Sequence, residues 1–311
     1  MSANAQAWDP AAGPRTLDEY VRRENFPVAT RLLPARHRMH LLAVYRYARF
    51  VDDIGDRAPP RERKALLDEV ETDLRRLYER GAPELPPLAA LAATVRDCRV
   101  PAEPLRRLIE AGRQDQAVTR YETFDELVAY CALSADPVGR VVLHVFDAVT
   151  PDRIALSDRV CTALQIIEHC QDVAEDYRRG RIYLPEADLR RFGCVERDLT
   201  LAATPTRLRG VIALQAARAR RLLDEGSALV GGPTAATRPM GRDGAARPTG
   251  RDGADGVRLP GFARLAVAGY IAGGRAALAA LHHRGYDVLA DPPRPARTRL
   301  LIEWSRMLGR R

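Results

Sequence analysis

Apolar residues recur at intervals of three and four along most of the chain, and the strict alternation of a half-buried strand hardly appears. Leu41, Leu42, Tyr45, Tyr47 and Ala48 open one helical run, in which Gly55 is placed to loosen the last turn. Further helices are predicted near 61–80, 104–118, 124–149, 153–177, 206–230 and 262–283. The predicted fold class is therefore all-α.

The pattern fails in one place. Residues 231–256 read GGPTAATRPMGRDGAARPTGRDGADG, too rich in Gly and Pro to bury apolar surface, and RPMGRDGA at 238–245 recurs as RPTGRDGA at 247–254. This is expected to be a disordered, expanded surface loop without a catalytic role. It would interrupt a single helical domain over 19–290, preceded by a flexible tail at 1–18. Residues 291–311 form a basic amphipathic segment. Leu300, Leu301, Trp304, Met307 and Leu308 fall on one predicted face, and Arg299, Glu303, Arg306 and Arg310 on the other. Such a helix either docks on the bundle or lies on an anionic membrane surface.

Composition narrows the classes. In 311 residues, 46% hydrophobic content with 6% aromatics suits a Leu/Ala/Val-rich helical core large enough to enclose a cavity. The net charge of +8 is carried by arginine, with Lys64 the single lysine, and no basic patch interleaved with aromatics points to nucleic acid. That charge favours anionic diphosphates and anionic lipid surfaces. Five cysteines without a C-x-x-C spacing indicate neither a disulfide framework nor a zinc site. The first residues lack the basic start and apolar run of a signal peptide, and no run of about 18 uninterrupted apolar residues occurs. The expected location is cytoplasmic, with the C-terminal segment able to reach the inner membrane face.

The candidate chemistry lies in two acidic pairs, Asp52 with Asp56 and Asp172 with Asp176, each four residues apart. Four residues turn a helix by about 400°, so each pair projects from one face and can reach the same cation. Most such pairs are solvated faces. These two are flanked by Ala48, Phe50, Val51 and Ile54 and by Leu164, Ile166, Ile167 and Val173, on helices that must bury much of their circumference. Opposed in a bundle, they would give hard oxygen ligands suited to several Mg²⁺ ions bridged by a diphosphate. Asp53 and Glu175 are rotated off the two faces. Arg49, three residues before Asp52, is placed either to fork onto phosphate oxygens or simply to pair with an aspartate.

ENFPVATRLLP at 24–34, AVYRYARFVDDIGD at 43–56, YCALSADPVGRVVL at 130–143 and QDVAEDYRRGRIYLP at 171–185 resemble, in order and spacing, the squalene and phytoene synthase family. The resemblance is strongest to its hopanoid-associated hydroxysqualene synthase branch and spans roughly residues 20–287. It implies an isoprenoid synthase-type helical bundle with a central cavity, Mg²⁺ as cofactor and a prenyl diphosphate as substrate. Neighbouring enzymes of the squalene pathway are the implied partners. It carries Tyr45 and Arg49 over as site residues through a Tyr-x-x-x-Arg-x-x-Asp-Asp pattern, and Tyr183 through GRIYLP. Arg178, Arg179 and Arg181 follow the second acidic pair and are candidates for diphosphate contact, at least one of them as a solvated helix end. Glu168 stands where the family commonly has Asn, adding an oxygen ligand and a charge to the expected metal set.

A dry wall for the hydrocarbon is expected from Phe26, Tyr130, Ala132, Leu133, Ala135, Val138, Gly139, Val142, Leu164 and Gln165. Ala135 and Gly139 would leave room for a chain, and a buried Gln165 amide needs a polar partner. The implied reaction ionises presqualene diphosphate, and water captures the rearranged cation as hydroxysqualene. Alternatives are head-to-head condensation of two prenyl diphosphates to presqualene diphosphate, dehydrosqualene or phytoene, and a noncatalytic assembly protein of the same fold. His144, His169, His282 and His283 show no ligand spacing, and no Glu-x-x-His occurs, which argues against a di-iron bundle.

Overall fold

The computed structural model describes residue 25, residues 27–231 and residues 257–309. Among them the chain is all-α, apart from one isolated bridge between Arg120 and Ile182. The duplicated repeat, the N-terminal tail and Phe26 lie outside the described residues.

Among the described residues twelve α-helices follow one another: α1 (Ala35–Arg57), α2 (Pro60–Arg80), α3 (Pro86–Asp97), α4 (Ala102–Ala117), α5 (Phe124–Ser134), α6 (Asp136–Val145), α7 (Pro151–Gln171), α8 (Val173–Arg178), α9 (Glu186–Arg191), α10 (Thr206–Gly226), α11 (Gly261–His283) and α12 (Arg297–Gly309). Two 3₁₀ turns, Glu196–Thr200 and Ser227–Val230, join them. Pro at the first turn opens α2, α3, α6 and α7, where its missing N–H costs nothing. Gly81, at φ 67°, closes α2 in the left-handed region that only glycine enters freely.

Two large cores hold the bundle, with a small third cluster of Leu33, Leu41, Val142, Val145 and Ala266. On one side Val44, Tyr47, Val51 and Ile54 of α1 pack with Leu67 and Leu74 of α2, Leu88 and Leu91 of α3, and Leu105 and Ile109 of α4. The fully buried Tyr47 satisfies its hydroxyl by donating to Leu105 O at 2.9 Å. On the other side Ile166 and Ile167 of α7 pack with Leu208, Ile212 and Leu223 of α10 and Ile271 and Leu278 of α11. The cavity described below lies between them.

Several expected elements differ in detail. The run at 124–149 divides at Ala135, whose φ of −118° breaks the path before Pro137, and the run at 153–177 divides at Asp172. Backbone bonds Asp172 N to Glu168 O and Asp176 N to Asp172 O, both 2.8 Å, bridge that second break, so the two acids keep their one-turn relation. Helix α3 was not expected; its sequence is short and Ala-rich, and its only signal is the buried spacing of Leu88, Leu91 and Thr94.

The C-terminal helix docks. Trp304 and Met307 are buried, the Trp304 indole N–H donates to Leu265 O at 3.1 Å, and Leu300 and Leu308 pack on the same core. Two positions depart from the expected faces. Leu301 is 60% exposed, while Glu303 is buried and paired with Arg299 at 3.3 Å and Arg306 at 3.0 Å. Helix α11 is long and apolar enough to cross a membrane, but Ala268, Ile271, Ala272 and Leu281 bury it inside the bundle. That burial marks a core helix.

Candidate active site

A large cavity opens between the two cores, with about 1160 Å³ of space among its lining atoms, part of it continuous with solvent. Leu41, Val44, Ala48, Val138, Val142, Leu164, Val267 and Tyr270 make its apolar wall. Its polar end gathers Tyr45, Arg49 and Asp52 from α1 and Gln165 and Glu168 from α7. The first acidic motif and the residues preceding the second therefore meet across one space. Ala135 and Gly139 line it too. Gly139 does not leave room for a chain there: a Cβ would lie 2.4 Å from Ser157 Oγ and 2.5 Å from Cys161 Sγ, so its smallness serves the close approach of α6 to α7.

Of the two acidic pairs, Asp52 is the member that lines this space; Asp56, Asp172 and Asp176 lie outside its lining. Its side chain is 54% exposed, while the surrounding helices crowd its carboxyl. That crowding pushes its pKa up to about 7; Arg49 opposes the shift, and Asp56, Asp115 and Asp53 add to it. Arg49 Nη1 lies 3.6 Å from Asp52 Oδ2. Asp53 pairs with Arg57 at 3.3 Å, away from the shared face.

Asp56 is already engaged. Arg181 Nη1 donates to its Oδ1 at 2.7 Å, and Arg179 Nη1 lies 3.2 Å from its Oδ2. Arg181 is buried and also donates to Gly55 O at 3.3 Å. Arg179 reaches Glu175 as well, at 2.6 Å, and Arg178 is the exposed helix end. The segment after α8 runs beside residues 119–122, with Ile182 N donating to Thr119 O and Glu186 N to Tyr121 O, both at 2.9 Å. In this extended stretch Arg181 and Tyr183, two apart, share one face.

Tyr183 faces Asp115, a residue the motifs did not reveal. Tyr183 and Tyr130 each donate a 2.9 Å hydrogen bond to its carboxylate, one to Oδ1 and one to Oδ2. Burial raises the Asp115 pKa, against Arg181 and the two phenols. Its sequence signal was a carboxylate on the α4 stripe that also buries Leu108, Ala111 and Gly112. Tyr130 is buried by this network, behind the cavity lining.

His169 links the two halves. Its ring stacks on Tyr183 with centroids 3.9 Å apart and planes 17° apart, its Nδ1 lies 3.6 Å from Asp176 Oδ2, and its Nε2 is 3.3 Å from Gln165 Nε2. The polar partner that Gln165 needed is thus a histidine whose spacing suggested no role. Asp172, at the junction of α7 and α8, has its pKa raised to about 6 by burial and by Asp176 and Glu175, with His169 and Arg179 opposing.

The donor set is all oxygen, as Mg²⁺ requires, and the raised Asp52 and Asp172 values mark carboxylates that a cation would stabilise. Among the described residues no three His, Cys, Asp or Glu side chains converge closely enough to hold an ion by themselves. Diphosphate oxygens would have to complete any coordination shell.

The sequence model of the squalene/phytoene synthase family matches residues 21–302, nearly the whole of this architecture. The chain belongs to that family. The hydroxysqualene synthase of Sinorhizobium fredii strain NGR234 is 37% identical over 223 residues, covering 70% of this chain and 74% of that one. The hydroxysqualene synthase of Zymomonas mobilis is 35% identical over 210 residues, covering 66% and 69%. The crystal structure of squalene synthase HpnC from Alicyclobacillus acidocaldarius superposes with a TM-score of 0.68 at 38% identity, over 83% of this chain and 88% of that one. A dehydrosqualene synthase shares the fold at 23% identity and a TM-score of 0.74, over 94% and 93%. This member of the squalene/phytoene synthase family has the isoprenoid synthase helical fold.

Proposed function

We propose that the protein converts presqualene diphosphate and water to hydroxysqualene and diphosphate. The observation that carries this reading is the convergence of Arg49, Asp52, Gln165 and Glu168 on the polar end of one otherwise apolar cavity, in a chain similar to hydroxysqualene synthases over two thirds of its length. Mg²⁺, held by Asp52, Asp56, Glu168, Asp172 and Asp176 together with diphosphate oxygens, would supply the positive charge that stabilises the leaving group. Arg49, and Arg179 and Arg181 on transfer from Asp56, bind phosphate oxygens with their forked N–H groups. The wall from Leu41, Val44, Val142, Leu164 and Tyr270 holds the isoprenoid chains and keeps bulk water from the cation. Both acidic pairs and Arg49 are retained, which favours an enzyme over an assembly protein.

The test is a product assay. Purified protein with Mg²⁺ is given presqualene diphosphate or farnesyl diphosphate separately, with and without NADPH. Hydroxysqualene from presqualene diphosphate without NADPH is the expected result. Turnover of farnesyl diphosphate alone, to presqualene diphosphate, dehydrosqualene or phytoene, would establish the condensation reaction instead.

A further inference from the structure

The cavity must deliver water to one carbon of a cation while excluding it elsewhere. A single oriented water needs a fixed polar group in the wall. Gln165 lines the cavity, and among the described residues its hydrogen bond is the 3.3 Å contact between its Nε2 and His169 Nε2. With the amide nitrogen turned to the ring, the contact is a hydrogen bond only in the tautomer in which His169 Nε2 accepts. Asp176 Oδ2 lies 3.6 Å from Nδ1, on the far side of the ring from Gln165. The ring cannot turn to exchange its nitrogens: it is 7% exposed and stacked on Tyr183, whose hydroxyl is tied to Asp115 at 2.9 Å. With its nitrogen committed to His169, the Gln165 amide is left with its carbonyl oxygen for the cavity.

We propose that His169 is a positioning residue that orients the Gln165 amide so that its carbonyl oxygen holds the water that captures the cation. The inference rests on the hydroxysqualene-forming reading. Diphosphate departs with the electron pair of the broken carbon–oxygen bond. The held water accepts nothing from Gln165; it donates one hydrogen to the carbonyl and turns a lone pair to the carbon. After the new carbon–oxygen bond forms, the surplus proton passes to the released diphosphate, so substrate plus water equals alcohol plus protonated diphosphate. Without a fixed carbonyl, the cation loses a proton to give hydrocarbon.

The test reads product partition and diphosphate release together. His169→Phe keeps a ring stacked on Tyr183 and removes both nitrogens; His169→Gln returns an acceptor close to the Nε2 position. With presqualene diphosphate and Mg²⁺, His169→Phe is expected to lower the ratio of alcohol to hydrocarbon products by about 10-fold, a typical effect of losing an outer-sphere orienting partner. Diphosphate release is measured in the same reactions, so that the partition is expressed per ionisation event and a change in overall rate does not enter the ratio. His169→Gln should recover most of the alcohol, and Gln165→Leu should match His169→Phe, with no further change in the double variant. An unchanged partition in His169→Phe or in Gln165→Leu overturns the proposal. So does a loss of diphosphate release with partition preserved, which is the signature of a purely structural histidine. Absence of alcohol from the wild-type protein overturns the hydroxysqualene reading itself, whereas wild-type alcohol with an unaltered variant ratio overturns this inference alone.

Discussion

Arg181 Nη1 donates a 2.7 Å hydrogen bond to Asp56 Oδ1 across 125 residues of sequence, tying the segment after the second acidic motif to the first. Burial disfavours the guanidinium charge, and Tyr183, Asp115 and Asp56 more than offset it, so Arg181 remains a fixed cation at the polar end of the bundle. It can neutralise Asp56 in the free protein and meet phosphate oxygens when a substrate arrives. Arg181→Gln is expected to lower kcat/KM by about 10- to 100-fold while leaving the helical signal unchanged. Steady-state kinetics with circular dichroism checks this, and wild-type kcat/KM would show that Arg181 has a packing role only.

Metal-side chemistry gives a contrasting pair. Asp52→Asn removes the aspartate that lines the cavity and is expected to reduce turnover by at least about 100-fold, since one lost ligand disturbs the whole metal and diphosphate cluster. Glu168→Asn shortens the side chain by one methylene and removes its charge but keeps an oxygen donor, and should keep activity within about 10-fold. Single-turnover measurements across a Mg²⁺ titration separate lost affinity from lost rate. Equal activity in wild type and Asp52→Asn would remove Asp52 from the site.

Asp136 titrates away from the proposed metal site. Burial raises its pKa to about 7, Asp158 adds to the shift, and the Thr162 hydroxyl, donating at 2.8 Å, opposes it along with Arg140. In the unfolded chain the same carboxyl loses its proton near pH 4. Between about pH 4 and about pH 7 the folded state therefore binds more protons than the unfolded state, so this group's contribution to stability falls as pH rises and levels off above about 7. Asp136→Asn should flatten that part of the profile and stabilise the protein at pH 8 relative to wild type. Urea denaturation at pH 5 and pH 8 measures it, and identical slopes in both proteins would contradict the assignment.

The described residues on either side of the duplicated segment are pinned. Leu259 N donates to Leu229 O at 2.8 Å, and Arg153 donates to Val257 O at 3.2 Å and Arg258 O at 3.0 Å. Removing 238–254 is expected to change melting temperature and activity little, because shortening a flexible connection between fixed ends alters its closure entropy by only about 1 kcal/mol, in the stabilising direction. A large loss of stability or of product would show that the repeat contributes to the fold or the site.

How much of this was legible beforehand follows from the physics of each signal. That Arg49, Asp52, Val138, Val142 and Leu164 would face one space could be read because helical spacing puts them on predictable faces, whereas Tyr130, Ala132 and Leu133 fall outside the lining and Leu41, Val44, Val267 and Tyr270 complete it unannounced. Residues such as Asp115 and His169 could not be read, since their meaning comes from partners far away in sequence: Tyr183 is 68 residues from Asp115, joined to it by a hydrogen bond. The breaks at Ala135 and Asp172 were hidden for a related reason, as side-chain periodicity runs through a one-residue kink without interruption. Gly139 was legible as small, but whether the space served substrate or a neighbouring helix depended on where Ser157 and Cys161 lay.

The central claim is that water captures a cation formed from presqualene diphosphate in the cavity between the two cores. The most direct measurement is turnover of presqualene diphosphate by the purified protein with Mg²⁺ in ¹⁸O-enriched water, followed by mass spectrometry of the extracted lipids. The account predicts hydroxysqualene whose hydroxyl carries the solvent isotope, formed without NADPH. A hydrocarbon product without oxygen, or an alcohol bearing only unlabelled oxygen from the substrate, would contradict it.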